Sequence, residues 1–174
     1  MKFKSLPVPG AVEISIEPDL DARGLFARLF CAEEFAAHGL PSQFAQHSLS
    51  CNERAGTLRG LHYQTGQSEA KLVRCVAGRA FDVIVDLRRS LSSYGQWCAV
   101  ELTADRRNAV FVPKGCAHGF QTLVDRTELM YLIDVPYDGR QAAGIRWDDP
   151  SLAIQWPLPD PILSERDQLL PYLT

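Results

Sequence analysis

Hydrophobic and polar residues alternate along most of this chain with a period of two. Val12, Ile14 and Ile16 are separated by polar Glu13 and Ser15. Phe81, Val83, Val85 and Leu87 alternate with Asp82, Ile84 and Asp86. Val73 and Cys75 fall on one face and Leu72 and Val76 on the other, and the runs AVFVP and ELMYLIDV continue the pattern. Successive side chains of a strand point to opposite faces, so these runs predict strands. Ala77-Gly78-Arg79 and Pro113-Lys114-Gly115 are turn signals between them. Short strands spaced roughly 8–12 residues apart, from about Val8 to Ile133, point to a sandwich or barrel rather than βαβ units.

Two helices interrupt the pattern. Ala32 to His38 is alanine-rich and stopped by Gly39. A second follows Ser164, an N-cap candidate with Asp167 three residues later. The C-terminal third, rich in Trp, Pro and Asp (Trp147, Asp148, Asp149, Pro150, Trp156, Pro157), reads as an irregular arm packed over the sandwich.

The chain has 174 residues, which predicts one domain spanning 1–174 with a core of its own. It shows no internal repeat, low-complexity tract or linker. Hydrophobic residues make up 46% and charged residues 22%, as in soluble globular proteins. A net charge of −3 argues against a nucleic-acid partner, although a few placed arginines can still hold an anionic ligand. No apolar run reaches the ~20 residues of a membrane helix, and the opening MKFKSLPVPG lacks the apolar stretch of a signal peptide. The five cysteines are odd in number and form no C-x-x-C, so reduced, mostly buried thiols are expected. These features predict a cytoplasmic protein without a membrane or nucleic-acid partner.

Candidate chemistry concentrates in GTLRGLHYQ at 56–64, KLVR at 71–74 and AHGF at 117–120. Alternation puts Gly60, His62 and Gln64 on one face and Arg59, Leu61 and Tyr63 on the other. For Arg59 and His62 to serve one pocket the strand must bulge, most cheaply at Gly60. Taken singly, each residue has a plain structural role open to it. A strand histidine is more often hydrogen-bonded scaffold than a base. Lys71 and Arg74 read as edge charges that discourage strand pairing. His118 has backbone to bond to, Tyr131 reads as a core or edge aromatic, and Asp167 as a helix cap. A metal site in such a fold commonly uses two histidines one residue apart. His38, His47, His62 and His118 offer no such pair, so no metal is expected.

Taken together, the motifs resemble the dTDP-4-dehydrorhamnose 3,5-epimerase family over nearly the whole chain. They run in order: DARGLFARLF (21–30), QHSLSCN (46–52), GTLRGLHYQ (56–64), KLVRCVAG (71–78), FDVIVDLR (81–88), VPKGCAHGF (112–120), MYLIDVPY (130–137), IRWDDPSLAIQWP (145–157) and LSERD (163–167). The resemblance implies an all-β double-stranded β-helix, the cupin jelly roll, with short flanking helices. It also implies a homodimer that uses no metal or other cofactor. The implied reaction inverts C3 and C5 of a dTDP-linked 4-keto-6-deoxy-glucose. His62 then matches the base, Asp167 its paired acid, Tyr131 the proton donor on the other face, and Lys71 a group near the C4 oxygen. Arg23, Gln46, Ser48, Arg59, His118 and Arg166 match substrate-binding positions.

The chemistry suits those residue types. A C4 ketone acidifies the C–H bonds at C3 and C5, because the carbanion spreads onto oxygen as an enolate. Inversion needs a base on one face and an acid on the other. Histidine titrates near neutral pH, and a carboxylate at its far nitrogen sets the tautomer. A lysine beside the developing enolate stabilises it, and arginine pairs naturally with diphosphate.

Three positions depart from the family pattern: Arg28 stands where Glu is common, Ser48 where Asn is common, and Ala142 where Glu is common. They bear on nucleotide and sugar recognition. They keep open a single-site C3- or C5-epimerase on a dTDP- or CDP-linked 4-keto deoxysugar. A keto-sugar isomerase, a metal cupin and a non-catalytic carbohydrate-binding module are the more distant alternatives.

Overall fold

The computed structural model describes residues 1–173, and it is nearly all β-sheet. In chain order the first elements are β1 (Lys2–Ser5), β2 (Val12–Ser15), β3 (Asp19–Asp21), β4 (Gly24–Phe26), α1 (Ala32–Ala37) and β5 (Gln46–Asn52). Then come β6 (Leu58–Gln64), β7 (Lys71–Ala77), β8 (Arg79–Asp86), β9 (Trp97–Thr103) and β10 (Ala109–Val112). The last are β11 (Cys116–Thr122), β12 (Thr127–Ile133), β13 (Ala142–Gly144) and α2 (Glu165–Gln168). One sheet has the order β1-β2-β10-β7-β12-β5 and the other β13-β6-β11-β8-β9, while β3 and β4 form a separate hairpin. Neighbours far apart in sequence but paired in space are the jelly-roll arrangement the alternation and the resemblance predict. Gly78 and the Pro113–Gly115 turn fall between strands as expected, whereas Ile16 lies just outside β2.

The pleat explains three separate apolar layers. Val73, Cys75, Val110, Val112 and Leu129 meet Ile84, Val100, Leu102 and Phe120 between the sheets. Ile14, Leu72, Ala109, Phe111 and Leu132 cover the outer face of the six-stranded sheet, where Phe35 of α1 packs with Phe30 and Phe44. Full burial of a side chain such as Phe35 contributes about 1.5–3 kcal/mol. Leu61, Val83, Val85 and Ala117 form the outer face of the five-stranded sheet under Ile145, Leu152, Ile154 and Trp156. That cover is the predicted C-terminal arm. It is pinned by Trp97 Nε1 donating to the Leu152 carbonyl and by Gln121, whose amide exchanges two hydrogen bonds with Leu158.

Lys71 and Arg74 are not edge charges. They lie on β7, between β10 and β12, and both are buried. A period of two sends them to opposite faces. Arg74 joins the outer layer, donates to the Leu29 carbonyl, and has its pKa lowered to about 10 by burial. The five cysteines are unpaired; Cys75, Cys98 and Cys116 are buried, while Cys51 is exposed. Burial pushes the Cys75 thiol up to about 11 and Cys116 to about 12. Among the described residues, no helix is long and apolar enough to cross a membrane.

Candidate active site

The site begins with a bulge in β6. His62 pairs with His118 of β11, but the next partners are Arg59 and Phe120. Gly60 and Leu61 therefore stand opposite Gly119 alone, two residues against one. Gly60 has φ +140°, and a Cβ there would lie 2.5 Å from the Gly119 Cα. A Cβ on Gly119 would lie 2.8 Å from the Arg59 carbonyl oxygen. Only glycine fits either position. The extra residue turns Arg59 and His62 into the same cavity while Leu61 stays buried in the outer layer.

That cavity holds about 460 Å³. The five-stranded sheet supplies Arg59, His62, Gln64 and His118 to its wall; the six-stranded sheet supplies Ser48, Lys71 and Tyr131. Arg166 of α2, Tyr137 and Ala142 complete the rim.

His62 Nε2 lies 2.7 Å from Asp167 Oδ1, and the Gly60 N–H donates to Asp167 Oδ2 at 3.3 Å. The Asp167 N–H donates to Ser164 Oγ, so its backbone takes the cap of α2 while its carboxylate serves His62. Burial alone would raise the Asp167 pKa. The bond to His62, the charge of that ring and the Gly60 N–H outweigh it and hold the carboxyl below its ordinary value. An ionised Asp167 assigns the Nε2–H tautomer to neutral His62, leaving the Nδ1 lone pair free.

A second histidine–aspartate pair lies in the same wall. His118 does not bond to backbone through this nitrogen: its Nε2 sits 2.9 and 3.0 Å from the two Asp82 oxygens, and both residues are buried. Burial pushes the Asp82 carboxyl up, against the pull of His118 and Lys71. Tyr131 faces this pair from the other sheet, its ring centroid 6.0 Å from that of His118. Burial raises the Tyr131 pKa well above its ordinary value, the Asp82 charge adds to this, and Arg59 opposes it. Tyr131 therefore stays a phenol at neutral pH, able to donate. Lys71 Nζ lies 2.8 Å from Glu69, which also accepts from Gln64. The Arg59 Nε donates to Asn52 at 2.8 Å.

Of the positions singled out in the sequence, His62, Lys71, Tyr131, Ser48, Arg59, His118 and Arg166 line the cavity, and Asp167 stands behind His62. Arg23 does not reach it. It is exposed on the β3–β4 hairpin and held by Asp21. Gln46 stands outside the lining, its side-chain oxygen accepting from the Tyr137 N–H. Ser48 and Ala142 face the cavity, whereas Arg28 pairs with Glu34. Asp82, Glu69 and Asn52 escaped the sequence reading. Asp82 had a signal: the period of FDVIVDL sends it to the same face as Ile84, and a carboxylate inside a sandwich needs a partner. Among the described residues, no group of three or more His, Cys, Asp or Glu side chains is placed to hold a metal ion.

Known proteins share this architecture. The family model described as dTDP-4-dehydrorhamnose 3,5-epimerase matches residues 5–174. The protein of that name from Methanothermobacter thermautotrophicus is 40% identical over 170 residues, covering 96% of this chain and 91% of its own. A dTDP-4-dehydrorhamnose 3-epimerase from Streptomyces niveus is also 40% identical, covering 97% and 82%. The crystal structure of the 3,5-epimerase from Bacillus anthracis, with TDP and pyrophosphate bound, superimposes with a TM-score of 0.96 at 38% identity, covering 99% of both chains. A jelly roll whose two sheets set a histidine–aspartate pair opposite a partly buried tyrosine, matched over nearly its full length in sequence and in structure, belongs to the dTDP-4-dehydrorhamnose 3,5-epimerase family of isomerases.

Proposed function

We propose that this enzyme converts dTDP-4-dehydro-6-deoxy-D-glucose into dTDP-4-dehydro-L-rhamnose by inverting C3 and C5. The observation that carries the mechanism is the placement of His62–Asp167 and Tyr131 on opposite sides of one cavity. His62 Nδ1 takes the proton from the carbon beside the ketone. Asp167 holds the ring and stabilises the imidazolium. Charge builds on the C4 oxygen, where Lys71 stabilises it. Tyr131 then donates a proton to the other face. Arg59 and Arg166 hold the diphosphate. His118, fixed by Asp82, and Ser48 orient the nucleotide sugar.

We also propose a homodimer. Arg23 sits on a hairpin that exposes Leu20 and Phe26, an apolar surface that supports a dimer in which Arg23 would serve the partner's cavity, with Gln46 beside Tyr137. Five unpaired cysteines suit a reducing, cytoplasmic setting.

The test is proton exchange in heavy water with dTDP-4-keto-6-deoxy-glucose. Two deuteriums per sugar, at C3 and C5, are expected, and none in a folded His62→Ala variant. Normal exchange in that variant removes His62 as the base. A single deuterium supports the narrower epimerase instead. That reading is favoured by Ser48 and Ala142 in the cavity wall and by the equal identity to a 3-epimerase. No exchange unless the nucleotide is cytidine would move the enzyme to CDP-sugars.

A further inference from the structure

A lysine ammonium is a compact charge on a flexible four-carbon stem, so its place in a cavity is set by its partners. Those of Lys71 are local. Glu69 lies on the segment that leads into β7, Lys71 is the first residue of that strand, and both line the cavity. Lys71 Nζ lies 2.8 Å from Glu69 Oε1. Gln64 Nε2 donates to Glu69 Oε2 at 2.9 Å, and Gln64 Oε1 accepts from the Asp138 N–H at 3.0 Å. All three side chains belong to buried residues. The backbone beside Glu69 is clamped as well: the Ala70 N–H donates to Asp134 Oδ1, and the Ala70 carbonyl accepts from the Asp134 N–H.

Both oxygens of Glu69 are therefore engaged, one by an ammonium and the other by an amide. Only a carboxylate keeps both bonds, because a side-chain amide offers one acceptor and turns its NH2 toward the other donor. The other carboxylate near Lys71 is Asp82, whose two oxygens face His118. Glu69 is thus the group that decides where the ammonium stands.

We propose that Glu69, braced by Gln64, is the positioning residue of Lys71, and that it acts on the reaction only through that ammonium. An enolate forms and collapses in each inversion. A donor already aimed at the C4 oxygen stabilises it without reorganising, whereas a lysine that swings loses that advantage. This rests on Lys71 serving the C4 oxygen.

A double-mutant cycle separates this role from a structural one. Glu69→Gln, Lys71→Met and the double variant are compared by steady-state kinetics on dTDP-4-keto-6-deoxy-glucose, at enzyme concentrations high enough to read the slow variants, with circular dichroism to confirm folding. Glu69→Gln should lower kcat roughly 10–10²-fold with KM within about twofold. In the Lys71→Met background the same change should alter kcat by less than about twofold. Gln64→Met removes the brace and leaves Glu69 its charge, which gives a milder perturbation should Glu69→Gln not fold. A loss of about threefold in kcat is expected with Lys71 present and none without it. A loss that is the same with and without Lys71 overturns the proposal. So does an unchanged kcat in folded Glu69→Gln, and so does a change confined to KM, which would put Glu69 on the substrate directly. Failure of the underlying reading looks different and takes the proposal with it: Lys71→Met alone would keep the native kcat.

Discussion

Asp167 does three jobs with one side chain and one amide. Its N–H takes the Ser164 cap of α2, and its carboxylate fixes the Gly60 N–H and holds His62. Asp167→Asn keeps the shape and removes the charge, so kcat is expected to fall roughly 10²–10⁴-fold with KM little changed. Steady-state kinetics checks this. The same pair links stability to pH. The folded-state pKa of Asp167 lies below its unfolded value. Its contribution is therefore fully present above the ordinary carboxylate value of about 3.9 and is lost as pH falls through the lower folded value. Denaturant unfolding of the native protein and of the Asp167→Asn variant should differ at neutral pH and converge in acid. Tyr131 makes the complementary prediction. Burial keeps it a phenol, so Tyr131→Phe removes the donor but not the base. Deuterium should still wash into unchanged substrate at the His62 face, while inversion falls roughly 10²–10⁴-fold. Equal loss of exchange and inversion would deny the two-sided mechanism.

At the level of elements, the β6 bulge decides the site. A regular strand would point Arg59 away from His62. Opposing two residues to Gly119 brings both into the cavity. Gly60→Ala is expected to cost about 2–4 kcal/mol, because the methyl meets backbone and φ lies in a region that L residues rarely adopt. Thermal unfolding measures it. A loss under about 1 kcal/mol, accompanied by loss of activity, would mean that β6 straightens. The bulge was legible in the sequence as a condition: one pocket for both residues required it, and Gly60 was the place. Alternation also exposed the long strands, and Gly39 and Ser164 the helix ends. β1, the β3–β4 hairpin and β13 were not legible. They are three or four residues long with little buried surface, and their sequences carry too few alternations to show a period.

At the scale of the whole molecule, the two sheets act as two holders. One carries His62 and the other Tyr131, and the C-terminal arm returns to place Asp167, 105 residues from His62 in the chain. The exposed hairpin around Phe26 has no comparable use within one chain. Sedimentation at twice the 19.4 kDa chain mass is expected, with Phe26→Asp driving the protein toward the monomer. A native protein that sediments as one copy would leave Arg23 without a cavity to serve.

The residue order alone determined the strand-rich class, the turn positions, the two helices and the chemical inventory of His62, Lys71, Tyr131 and Asp167. These are local properties: a side-chain period of two, backbone preference and residue chemistry. Only the tertiary structure decided which groups meet. It buried Lys71 and Arg74 on opposite faces of a central strand. It gave His118 the Asp82 carboxylate and gave Lys71 Glu69, while holding Arg23 away from its own cavity. The buried His118–Asp82 pair joins β11 to β8, whereas Lys71 and Glu69 are two residues apart and are buried together. What selects them is the cost of burying a charge or an amide without a partner, a cost that appears only once the sheets close.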